Sequence, residues 1–387
     1  MTTASLSSSP STRVETAHVL HARASPLMAA GEFLAVGGLT LIVFPLAWLL
    51  RRSLGLDASE YVVGFAMFHA ATFLNDPHFS VTYLLFYRDA PRRWFAPSTS
   101  RAQRARFLIA GVLVPIVLLS WVALAFASRS AQMLGNLIQG LYLLVGWHYA
   151  KQGFGALMVL SARRGTHWRA LERRVMLFQC YAAWAFAWSN PARAAGEFEE
   201  KGVVYWAAAH PRWLELGSGA LLALSTLALG LCLIAKWRRE RRLPIAALSC
   251  FLITIWLWTI FTTLDPLVRY VIPALHSIQY LFFVGLMKRN QARAAEGSFG
   301  PPVATQLTVL ALSALALGWI LLRGGSALFD PSFVAALGRG SASVTLGATP
   351  LFAASYVVVN IHHYFMDAVI WRRDNPEMAY VLRAPGG

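Results

Sequence analysis

Six of the ten histidines fall inside long apolar runs: His69, His78, His148, His276, His362 and His363. Two carboxylates, Asp76 and Asp367, sit among them. Ionisable side chains at bilayer depth are costly and mark functional positions. Neutral imidazole is a ligand for iron, zinc and copper, and carboxylate suits the harder iron and manganese. The eight residues together read as an intramembrane metal site, for one or two ions, held between facing helices. Their depth carries the argument. His78 lies 10 residues before Arg88, His276 lies 12 before Lys288, and His148 lies 13 before position 161. His362 and His363 lie 10 and 9 before Arg372. At about 1.5 Å per residue, all five stand roughly 13–20 Å from the basic end of their run. Asp76 and Asp367 fall near the same shelf, and His69 lies deeper.

The neighbours repeat at helical spacing. Lys151 and Gln152 follow His148 at i+3 and i+4, and Gln279 and Tyr280 follow His276 at the same offsets. Asn360 precedes His363 by three, and Asp367 follows it by four. Such spacings put polar groups on one helix face. Lys151 and Tyr280 are candidate proton donors in catalysis. Gln152, Gln279 and Asn360 are candidates to orient the ligating rings. Blander roles exist for each. A single membrane histidine is also a helix–helix hydrogen bond. Asp76 is placed to cap a helix beginning at Pro77, and Asp367 to pair with Arg372 or Arg373. Lys151 is long enough to snorkel, and Asp265 and Arg269 have the spacing of an ion pair.

The elements that must carry these residues are apolar helices. The chain has 387 residues, 57% hydrophobic and 13% charged. A soluble domain carries about a quarter charged residues. The net charge of +16 is grouped in short Lys/Arg blocks between apolar runs, which is how topology is set and not how nucleic acid is bound. Cys180, Cys232 and Cys250 lie in apolar stretches without CxxC spacing and read as small hydrophobes. Apolar runs at 31–50, 107–127, 133–160, 175–189, 214–235, 244–264, 267–287, 303–322 and 346–371 predict spans. Residues 59–88 predict one more, broken at Asn75-Asp76-Pro77. The expected architecture is an all-α polytopic membrane bundle of about ten spans over 28–374, between a disordered tail at 1–27 and a C-terminal tail at 375–387. The basic blocks place the C-terminus in the cytoplasm, and the composition suits a bacterial inner membrane.

His69 to His78, Trp147-His148, and Asn360 through Asp367 resemble the membrane histidine-box non-haem iron enzymes. These are the desaturase and hydroxylase group and, more loosely, the membrane carotene-cleaving oxygenases. The HxxxH and HxxHH boxes of the desaturases are absent, and one His362-His363 pair stands in their place. The resemblance implies a metal-ligand role for the six histidines. Three readings follow. One is an iron-dependent oxidoreductase acting on a lipid-soluble substrate, with a redox partner. Another is a transporter or proton relay using the same His/Asp/Lys shelf. The last is a b-type haem electron-transfer protein. Zinc and copper remain open beside iron.

Overall fold

The computed structural model describes residues 26–97, 99–189, 195–263, 265, 267–294, 301–337 and 346–382. Most of the expected N-terminal tail (1–25), and 383–387 of the C-terminal tail, lie outside the described residues.

The chain is helical. In order come α1 (Pro26–Phe33), α2 (Thr40–Leu54), α3 (Leu56–Ala71), α4 (Asn75–Tyr87) and α5 (Ala90–Phe95). They are followed by α6 (Arg101–Ala127), α7 (Ala131–Arg163) and α8 (Ala170–Ser189). After a hairpin come α9 (Arg212–Glu240), α10 (Ile245–Ile260), α11 (Val268–Ala294), α12 (Val303–Ala336), α13 (Pro350–Ile370) and α14 (Met378–Leu382). The hairpin, β1 (Gly196–Glu200) paired antiparallel with β2 (Val203–Ala207), is the only sheet among the described residues. Its turn at Lys201-Gly202 uses positive φ at both positions, 52° and 79°. That backbone matches the twist of the flanking strands, and the all-α expectation passed over it.

Four helices among the described residues are long and apolar enough to cross a bilayer: α6, α9, α11 and α12. The bent pair α1–α2 makes up to five. The expected count of about ten is not reached, and the reason is chemical. α13 carries Asn360, His362, His363 and Asp367, and α7 carries His148, Lys151 and Gln152, so the helices that hold the polar groups lose the hydropathy that marks a span. Burial separates the layers. The apolar window of α11 is 61% buried, against 28%, 22% and 17% for α6, α9 and α12. On α9, Leu224, Leu227 and Leu231 share an outward face and stay about 60% exposed. A water-facing helix would place polar residues there.

The break expected at Asn75-Asp76-Pro77 falls just before it, at Thr72–Leu74. Pro77 sits in the first turn of α4, where its missing N–H would have no helical partner in any case. No side chain caps this helix start, so Asp76 is not a cap. Asp265 pairs with Arg51 at 3.3 Å, not with Arg269. Four stretches, Leu34–Gly38, Ile109–Leu113, Ile253–Ile260 and Ile320–Gly324, take π-helical turns. Such turns disturb the i→i−4 ladder and free carbonyls for side-chain donors. Val36 O, in the first, accepts from Cys250 Sγ and Gln279 Nε2. Ala110 O, in the second, lies 2.9 Å from His362 Nε2.

Candidate metal centre

His78 on α4, His148 on α7, His276 on α11 and His363 on α13 meet inside the bundle. One ligand nitrogen from each lies within 4.8 Å of the others. All four side chains are buried. Each residue comes from a different helix, so at least three long-range packings must form before the set exists. α11 and α13 both pack on α4, and α13 also packs on α7.

The nitrogens are left without ordinary partners. His78 Nε2, His276 Nδ1 and both nitrogens of His363 are buried without a hydrogen bond. His148 Nε2 and His276 Nε2 face each other at 3.1 Å. Buried polar atoms are normally paired, and a cluster of orphans calls for an explanation. An ion between the rings supplies one, and the all-imidazole donor set fits a borderline transition metal.

The surroundings fix the rings. His78 Nδ1 lies 2.9 Å from Ser277 Oγ, whose hydroxyl donates to Asn75 Oδ1 at 2.8 Å. Serine has one proton to give, so Nδ1 of His78 is the donor and Nε2 keeps its lone pair for a metal. Asp367 Oδ2 stands 3.2 Å from His363 Nε2 and 3.9 Å from His148 Nε2. Asp367 Oδ1 accepts from Tyr280 at 2.8 Å, and Tyr280 shares a 2.6 Å bond with Thr82, one turn beyond His78. Thr82, Tyr280 and Asp367 thus form one hydrogen-bonded group beside the imidazoles. Asp367 also brings an ionisable carboxyl group beside a site whose four ligands carry no charge of their own. Asp367→Asn is expected to lower metal affinity by about 10–100-fold, the usual cost of losing an outer partner. Competition with a chelator of known affinity measures it, and an unchanged affinity would remove Asp367 from the site.

Several expected residues stand elsewhere. His362 is rotated by about 100° from its neighbour on an α-helix. It turns away from the cluster to Tyr83 Oη, 3.0 Å from its Nδ1, and to Ala110 O. His69 is exposed against the rings of Phe65 and Phe68, because the break at 72–74 uncouples the face of α3 from that of α4. Asp76 is buried in an ion pair with Arg323 at 2.6 Å and is no part of the histidine set. Lys151 is exposed, with its ammonium over the Trp147 and Phe154 rings at 5.4 and 5.5 Å. Its i+3 offset leaves it about 60° off the His148 direction. Asn360 bonds Tyr356 O on its own helix and accepts from Tyr364, so it orients no ring. Gln152 donates to His276 O and to Gln279 Oε1, tying α7 to α11 through the backbone. Asp367 contacts the histidines and not Arg372 or Arg373.

Asn75, Thr82, Ser277 and Arg323 were absent from the expected set. Thr82 and Ser277 lie at i+4 from His78 and beside His276, which is a usable signal. The partnership of Arg323 with Asp76 spans 247 residues and leaves no local trace.

Comparison with family models, with curated proteins and with solved structures finds no match to this chain.

Proposed function

We propose that this chain is an integral-membrane, iron-dependent oxidoreductase acting on a lipid-soluble substrate at the four-histidine centre. The observation that carries the reading is the convergence of four buried imidazoles from four helices, with several nitrogens unpartnered. Four imidazoles saturate a tetrahedral ion such as zinc, whereas an ion that accepts six ligands keeps two positions for reactants. The ring centroids of His78, His148, His276 and His363 approach to 4.5–5.0 Å, which leaves no slot for a porphyrin. Iron held here would supply dioxygen activation, the chemistry implied by the resemblance to histidine-box enzymes. The protein's own part is to hold the rings, to exclude water, and to keep exchangeable protons on Tyr280 beside Asp367. The dry surroundings protect reactive species from side reactions with water.

The membrane is the solvent for such a substrate. We place the chain in a bacterial inner membrane with its C-terminus in the cytoplasm, where a soluble or membrane redox partner would deliver electrons. Metal analysis and an absorption spectrum of detergent-purified protein test the reading. One equivalent of iron without a Soret band is the expected result. Absence of metal, or a Soret band, would overturn it.

A further inference from the structure

The end of α7, the end of α9 and the start of α10 surround one open cavity of about 690 Å³. Arg164, Arg241 and Arg242 line it beside Trp237 and Ile245, and no carboxylate does. Glu32 pairs with Arg164 at 2.6 Å, and Glu240 is held by Lys236 and Arg239. Neither Arg241 nor Arg242 has an ion-pair partner among the described residues. Both are exposed, and the Arg241 guanidinium lies 5.2 Å from the centre of the Trp237 ring. No side chain caps the start of α10, which forms one wall. The positive end of a helix dipole therefore adds to the arginine charge. The cavity is built to receive an oxyanion.

An apolar track leads into it. Leu224, Leu227, Leu231 and Ile234 lie along one face of α9 and are 49–61% exposed. Trp237 follows less than a turn later, and Arg241 ends the helix. Leu224 and Trp237 are 13 residues apart, roughly 20 Å along the axis. One leaflet of a bilayer has about 15 Å of hydrocarbon. An exposed apolar track of leaflet length, an indole at its end and two arginines beyond it match the parts of one phospholipid. Its chains would lie on the track, with the indole at head-group level and the phosphate among the arginines.

We propose that this cavity holds the phosphate of an anionic phospholipid on Arg241 and Arg242, with the acyl chains along the Leu224–Ile234 face of α9. The site needs the chain to lie in a bilayer and is independent of the histidine centre. A free phosphate ester carries the same oxyanion, so the probes must separate the two sources.

Native mass spectrometry of the full-length protein in detergent, titrated with dioleoyl-phosphatidylglycerol or dioleoyl-phosphatidylcholine, tests the proposal. The wild-type protein should bind the anionic lipid about 30-fold more tightly than the zwitterionic one, the effect of two arginines at a lipid surface. Arg241→Gln combined with Arg242→Gln should bring phosphatidylglycerol down to the phosphatidylcholine level, while the paired Lys substitutions keep it bound. Arg92→Gln combined with Arg101→Gln removes the same charge from exposed positions outside the cavity and should change nothing. Glycerol 3-phosphate, a head without chains, should fail to displace the lipid even at about thousandfold excess. Equal binding of the two lipids, or undiminished phosphatidylglycerol binding by the Arg241/Arg242 variant, would overturn the proposal. An equal loss in the Arg92/Arg101 variant would overturn it too, since charge anywhere on that side would then suffice. Displacement by glycerol 3-phosphate at concentrations like those of the lipid would make the ligand a soluble phosphate ester and not a lipid.

Discussion

The His276→Ala protein is expected to leave the membrane folded and without its metal. His276 has its ring 4.9 Å from those of both His78 and His148 and its Nε2 against His148 Nε2. Structural four-ligand zinc sites bind with about 10–16 kcal/mol. A quarter of that, about 3 kcal/mol, corresponds to a loss of roughly a hundredfold or more in affinity. The chelate loses a further advantage, because the three remaining rings no longer enclose the ion. Mass-spectrometric metal counts on protein that elutes as a single species decide the matter. His362→Ala is the matched control. It removes a neighbouring imidazole bonded to Tyr83 and Ala110 O, and it should keep full metal. Full metal in His276→Ala would dismiss the cluster as the site. Loss in both variants would point to a general disturbance of the bundle.

The contrast between those two histidines shows what a sequence can and cannot say. The shared depth of His78, His148, His276 and His363 was legible, because distance along a helix is fixed by residue count. Which way each residue points was not, because facing depends on the packing of helices far apart in the chain. His362 and His363 are alike in depth and opposite in use. Lys151 and Gln152 divide in the same manner, one toward solvent or lipid and one across to α11. The helical class was legible from apolar runs. The number of spans was not, since the polar residues that make α7 and α13 useful also lower their hydropathy. The π-helical turns left no mark in composition, yet two of them supply the carbonyls at Val36 and Ala110, and a third carries Arg323.

Arg323→Ala should cost about 3–5 kcal/mol of stability, the usual penalty for leaving one member of a buried ion pair alone. Arg323 Nε reaches Asp76 at 2.6 Å, and its other nitrogen donates to Phe68 O at 2.8 Å. The guanidinium therefore holds both sides of the break between α3 and α4, just before the turn that carries His78. Without it, a carboxylate that is 5% exposed loses its partner and a carbonyl near the end of α3 loses its donor. A fall in the unfolding midpoint on the order of 5–10 °C in detergent is the expected reading. The pair Asp76→Asn with Arg323→Met should recover much of the loss, because neither residue is then a stranded charge. That double variant also separates two roles for Asp76. If Asp76 only fixes the start of α4, the recovered protein carries the wild-type complement of metal. If it folds and yet is empty, Asp76 belongs to the metal's ligands, as its depth near the histidine shelf first suggested, and the ion pair with Arg323 would have to open when the metal binds.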